Sequence, residues 1–157
     1  MLKACLGFRY DMPLSEGVRL GHVNLEVSDL RRARQFYDRF LSVLGFRREM
    51  SNDPYWLGYR KGRTAIWVTV SRPPRVRRKA PHVPIDGVKD PISDHIAFAV
   101  PSGKRVADLE AALRRRGFRP VYSTDWQDAH GNRWYVSNAW RDPDNNVLEI
   151  YSLTRRR

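Results

Sequence analysis

At 157 residues the chain is one ordinary domain or two small intimate halves, long enough to bury a core, and its 41% hydrophobic and 11% aromatic content excludes a disordered protein. No window approaches the ~18 apolar residues of a membrane span. The net charge of +12 raises a polyanion as partner. The arginines, however, fall on predicted outward helix faces (Arg31, Arg32, Arg39, Arg114, Arg115), in a central linker (Arg72, Arg75, Arg77, Arg78) and in the tail (Arg155, Arg156, Arg157), without a helix-turn-helix, zinc-finger or RNA-binding signature. They read as solvated surface, and a basic nucleic-acid-binding protein is retained only as a rival reading.

Residues 1–16 show no clear period and read as an N-terminal extension. Met1 to Met12 carries too short an apolar stretch for the core of a signal peptide. The single cysteine, Cys5, cannot form an internal disulfide, so a reducing, cytoplasmic setting is expected.

The chain then repeats itself. Gly21-His22-Val23-Asn24-Leu25-Glu26-Val27 and Asp94-His95-Ile96-Ala97-Phe98-Ala99-Val100 are both histidine-headed alternating runs, each followed by a polar break and an amphipathic segment that ends at Gly-Phe-Arg. In the first unit Val18 to Val27 predicts a strand, with His22, Asn24 and Glu26 on one face. Ser28 or Asp29 caps a helix with apolar positions Leu30, Ala33, Phe36, Tyr37, Phe40, Leu41 and Leu44, stopped by Gly45. Phe46 to Glu49, Tyr55 to Tyr59 and Ala65 to Val70 read as three strands.

Five prolines punctuate residues 71 to 92, favouring a linker that straps across the surface; His82 within it reads as a bystander. In the second unit His95, Ala97 and Ala99 share a strand face, and Val106, Leu109, Ala112 and Leu113 form the helix stripe, ended by Gly117. Arg119 to Ser123, Trp134 to Trp140 and Val147 to Leu153 are the expected strands, with Thr124 to Asn132 a polar stretch between the first two. Tyr55 to Tyr59 pairs loosely with Tyr135 to Ala139, and Thr64 to Thr69 with Asn146 to Tyr151, which sets Glu149 where Trp67 stands. The expected organisation is an extension (1–16), a first βαβββ module (17–72), a Pro/Arg-rich linker (73–91) and a second βαβββ module (92–154). The fold class is α+β: tandem modules forming a curved sheet, helices on its outer face and a concave metal-binding cleft within.

If helices cover one side of each sheet, His22, His95 and Glu149 all point to the other. Two imidazoles and a carboxylate are the ligands a divalent first-row metal uses when positions must stay open for substrate. Either histidine alone is more often structural; Glu149 says more, because an acid in a Val-Leu-Ile-Tyr strand needs a cation or donors. Asn24, Trp67, Thr69, Ala97 and Tyr151 are expected to line the substrate pocket, with Trp140 a further aromatic candidate. His130, in a loop, is either an acid/base group or simply exposed.

The paired units, the strand-opening histidines, Phe36-Tyr37 with Leu44-Gly45-Phe46, and Asp142-Pro143-Asp144-Asn145-Asn146-Val147-Leu148-Glu149 resemble the vicinal oxygen chelate superfamily: glyoxalase I, extradiol dioxygenases, methylmalonyl-CoA epimerase, and fosfomycin- and bleomycin-resistance proteins. The resemblance spans residues 18 to 153. It implies paired βαβββ modules, commonly a homodimer, and metal-ligand positions at His22, His95 and Glu149 for Fe(II), Mn(II), Ni(II) or Zn(II). The implied function is a metal-dependent enzyme that chelates neighbouring oxygens of a small molecule, as dioxygenase, lyase or transferase. The alternative within the same fold is a non-catalytic binding or resistance protein. Glyoxalase I and the epimerase place a fourth ligand where Trp67 stands, and the three-ligand members want a tyrosine where this chain has Ala139.

Overall fold

A computed structural model describes residues 20–71, 95–127 and 133–155. Cys5, His82, His130, the proposed extension and the proposed linker lie outside them. The element order is β1 (His22–Val27), α1 (Leu30–Val43), β2 (Arg47–Asn52), β3 (Trp56–Lys61), β4 (Thr64–Val70), then β5 (His95–Ala99), α2 (Gly103–Arg115), β6 (Tyr122–Gln127), β7 (Arg133–Arg141) and β8 (Val147–Arg155). The two βαβββ modules form two four-stranded mixed sheets, ordered β1-β4-β3-β2 and β5-β8-β7-β6, in which the first two strands of each sheet run parallel. Among the described residues no helix is long and apolar enough to cross a membrane.

Local chemistry sets the helix ends. Asp29 and Ser102 accept hydrogen bonds from the Arg32 and Arg105 amides at 3.0 and 3.2 Å, capping α1 and α2. The same amide bond lowers the Asp29 pKa below the ordinary carboxylate value. Both helices stop at a glycine in the left-handed region, Gly45 at φ 83° and Gly117 at φ 86°, which explains the repeated Gly-Phe-Arg.

Each helix buries one stripe on one face of its sheet, and the two modules meet through those apolar faces. Phe40 of α1 packs edge-on against Trp140 of β7 at 5.6 Å between centroids, and Phe46 against Phe98 at 5.8 Å. Phe36 meets Phe118 at 5.2 Å, with the Arg39 guanidinium over the Phe118 ring. Trp140 is therefore core, 1% exposed, rather than the pocket aromatic that its sequence position allowed.

The boundaries that differ most from the sequence expectation are those of β1, β2 and β6. β2 runs on to Asn52 across a bulge between Arg48 and Met50, β1 begins only at His22, and β6 is Tyr122–Gln127 rather than residues 119–123. The polar run starting at Thr124 conceals an edge strand: Thr124 to Gln127 pair with Ser137 to Trp134 and bury little, so apolar alternation is not required of them.

The register also corrects the repeat. Trp67 lies opposite Asn24 and Glu149 opposite Ala97, so these two positions are equivalent, as expected. On the other side Gly58 lies opposite Trp67 and Ala139 opposite Glu149. Gly58 therefore matches Ala139, one residue away from the sequence pairing of 55–59 with 135–139. A one-residue slip exchanges the faces, and in the observed register Trp140 lies opposite Leu148 on the core face. At Gly58 the missing side chain is used: an added Cβ would sit 3.1 Å from Cζ3 of Trp67, whose ring lies across the strand and meets Trp56 edge-on at 5.0 Å.

Tyr37, fully buried on α1, donates at 2.7 Å to Asp142 in the turn before β8, and Tyr59 donates at 2.9 Å to Asp38. Burial, reinforced by these carboxylates, raises both phenol pKa values well above the ordinary value of 10.0. The unfolded chain then loses those protons first as pH rises, so their contribution to stability is present below about pH 10 and lost above it. Tyr37→Phe is expected to cost about 1–3 kcal/mol by leaving a buried carboxylate one donor short, and to flatten the alkaline loss of stability; urea unfolding at pH 7 and pH 10.5 measures both. Gly58→Ala is expected to push the Trp67 ring by a few tenths of an ångström while the fold persists, seen as a changed near-ultraviolet dichroism with an unchanged far-ultraviolet spectrum.

Candidate functional site

The faces turned away from the helices carry the chemistry. In the first module His22, Asn24 and Glu26 stand exposed on β1, and the Asn24 amide donates to Thr69 Oγ1 at 3.1 Å beside the Trp56–Trp67 pair. In the second, His95, Ala97 and Ala99 are exposed on β5, next to Glu149 and Tyr151 of β8. Alternation along the strands places these side chains on one face and Val23, Leu25, Ile96, Phe98, Leu148 and Ile150 against the core.

Two of the three expected metal ligands meet. His95 Nε2 lies 3.0 Å from Glu149 Oε2. The Glu149 carboxylate is 6% exposed, on a strand whose other members near it are apolar and buried. Its second oxygen, Oε1, accepts a hydrogen bond of 2.6 Å from Tyr135, whose ring stacks on Tyr151 at 5.5 Å and 25°. Burial first, and then the bond to Glu149, raises the Tyr135 pKa above the ordinary phenol value. Tyr135 was not singled out from the sequence. Its signal was the alternation Tyr135, Ser137, Ala139 on β7, legible only once the register with β8 is known.

His22 occupies the matching position in the other sheet. Among the described residues no three histidine, cysteine, aspartate or glutamate side chains cluster as they would around a metal ion, so within one chain His22 does not join His95 and Glu149 in such a group. The donor chemistry of the pair nevertheless suits a divalent first-row metal. An imidazole nitrogen and a buried carboxylate oxygen lie side by side at 3.0 Å, both are ligand types such a metal takes, and a shielded acid is stabilised by a cation.

Several arginines of the helices and their caps are engaged locally. Arg34 pairs with Asp38 at 3.8 Å, Arg114 with Glu110 at 2.6 Å and Arg32 with Asp144 at 3.7 Å, while Arg116 donates to the Arg39 carbonyl at 2.8 Å. These contacts brace the helices and the join between modules, and give no support to a nucleic-acid surface on this part of the chain.

With this geometry established, three solved structures share the fold. A lactoylglutathione lyase from Agrobacterium tumefaciens superposes with a TM-score of 0.62 at 18% identity, covering 87% of this chain and 93% of its own. A glyoxalase candidate from Bacillus halodurans gives 0.57 at 26%, covering 87% and 96%. A glyoxalase/bleomycin resistance protein from Albidiferax ferrireducens T118 gives 0.56 at 23%, covering 85% and 98%. No curated protein matches the chain significantly. The family model for the Glyoxalase/Bleomycin resistance protein/Dioxygenase superfamily matches residues 19–150, spanning both modules and both strand-opening histidines. The chain belongs to that superfamily.

Proposed function

We propose that this protein is a metal-dependent enzyme acting on a small molecule with two neighbouring oxygens, its site built from His95 and Glu149 of one copy and His22 of a second. The observation that carries this reading is the convergence of His95 Nε2 and the buried Glu149 carboxylate at 3.0 Å. A second copy enters because His22 stands exposed at the equivalent place on its own sheet and the chain alone does not complete the set. Two open faces on one chain, each carrying half a site, are complementary to each other in a twofold pair.

In such a pair, His95, Glu149 and His22 would hold Fe(II), Mn(II), Ni(II) or Zn(II). The bound ion would supply Lewis acidity to oxygens of the substrate. Trp67, held flat over Gly58, forms an apolar wall at the position equivalent to Glu149, so the site is asymmetric and leaves room for an apolar or planar substituent. Asn24, Thr69, Ala97 and Tyr151 line the remaining surface, the first two locked by their mutual hydrogen bond. His130, between β6 and β7 in the sequence, is the proposed acid/base group.

A second reading, a binding protein without turnover, draws on the edge-to-face Trp56–Trp67 pair on the open face of the first module, a surface that would stack a planar ligand. Metal content separates the two. Protein purified without chelator is expected to carry one divalent ion per chain by elemental analysis, and His95→Ala, Glu149→Ala or His22→Ala each to lose it. A 1:1 mixture of His22→Ala and His95→Ala chains, dissociated and reassociated, is expected to regain roughly a quarter of the wild-type content, since only a site shared between copies restores one intact set per mixed dimer. Unchanged metal in His95→Ala removes the enzyme reading; no recovery in the mixture removes the shared site.

A further inference from the structure

Glu149 is held from two sides, and only one of them belongs to the proposed ligand set. Tyr135 lies on β7 opposite Leu153, four residues along the strand from Ala139, which stands directly opposite Glu149. Its phenol reaches Glu149 along the face that Ser137 and Ala139 share with it, with the Tyr151 ring stacked beside it. Ala139, with only a methyl group, leaves that path clear. The result fixes the carboxylate's rotation: Oε1 accepts from Tyr135 at 2.6 Å, and Oε2 faces His95 Nε2 at 3.0 Å.

We propose that Tyr135 is a positioning residue, which occupies Glu149 Oε1 and so restricts Glu149 to a single bond, through Oε2, with a divalent cation shared with His95. A free carboxylate can chelate a cation through both oxygens and use two coordination positions. One whose second oxygen is engaged by a phenol uses one, and the position saved is open to substrate. Outer hydrogen bonds of this kind fix a ligand's orientation and commonly change metal affinity 10- to 100-fold when removed. Because Ser137 and Ala139 are small and Tyr151 provides the stacking partner, the arrangement is specified by this chain's own sequence on β7 and β8.

This inference rests on the reading of His95 and Glu149 as metal ligands, and the test separates the two. Chelator-stripped wild type, Tyr135→Phe and His95→Ala are titrated with Co(II), reading affinity and the visible d–d absorption, which reports coordination number. The wild type is expected to bind and His95→Ala to fail. Tyr135→Phe is expected to bind about ten-fold more weakly, with a weaker, shifted absorption as Glu149 turns to chelate and coordination number rises. Equal affinity, or weaker affinity with an unchanged spectrum, overturns the positioning role alone, the latter being what a merely structural tyrosine would give. Failure of the wild type to bind, or full binding by His95→Ala, overturns the ligand reading and this inference with it. X-ray absorption of the Co(II)-loaded wild type tests the proposal without a variant. A carboxylate bound through one oxygen is expected; the short metal-to-carbon distance of a chelating carboxylate overturns it.

Discussion

The Asp142 carboxylate is the point on which the arrangement of the two modules depends. It is buried, and a buried charge without partners would cost several kcal/mol. Here Oδ1 accepts from the amides of Asp144 and Asn146 at 2.9 and 2.7 Å, and Oδ2 from the Tyr37 phenol and the Asn146 side chain at 2.7 and 2.6 Å. One of those donors comes from α1 of the other module. The same turn makes further links to the first module, among them Asn146 Nδ2 donating to the Glu26 carbonyl at 3.1 Å and the Ser28 hydroxyl donating to Asp144 at 2.5 Å. Asn145, at φ 66°, supplies the left-handed residue that closes the turn. The turn therefore fixes where β8 begins relative to β1 and α1, and Glu149 follows Asn146 by three residues on that strand.

Duplication supplies the frame, and divergence supplies the site. Both modules use the same parallel first pair of strands, the same capped helix and the same glycine stop. At the position where one module bears Glu149, the other bears Trp67; opposite these stand Ala139 and Gly58. The two small residues serve opposite ends. Gly58 lets an indole ring lie flat on the sheet, while Ala139 keeps the flank of a carboxylate clear for a phenol arriving from further along the strand. A symmetric ancestor of the cleft would offer the same chemistry twice, whereas this chain separates a polar half from an aromatic half.

What could be read from the sequence follows the strength of its periodic signals. The capped α1 stripe, the glycine stops and the equivalence of His22 with His95 were legible because each rests on local spacing. β6 was not, since an edge strand that buries little carries no alternation. The register of β7 was lost for a related reason: the Tyr-rich and Trp-rich runs at 55–59 and 134–140 look similar at more than one offset, and only pairing with β4 and β8 selects the correct one. The observed register sets Trp140 in the core and Tyr135 on the face of Glu149. Strand faces set His95 and Glu149 on the same side of neighbouring strands, whereas the expectation that His22 joins them depends on the distance between modules, a tertiary quantity outside the reach of pattern.

Among the described residues, the buried acids of the second module, Asp142 and Glu149, differ in how fully the fold satisfies them. Asp142 is met by four donors, two of them backbone amides, and its surroundings are closed. Such an acid is satisfied by the fold and has no capacity left for a ligand. Glu149, as deeply shielded, is met by a phenol and an imidazole nitrogen, and that imidazole stands on an exposed face able to turn its lone pair to a cation instead. Keeping a carboxylate in so lean a donor environment costs stability that a better-packed apolar side chain would not. That cost would be offset if a cation joined the pair, so the same physical deficit that makes Glu149 a poor choice for a scaffold suits it to the proposed metal site.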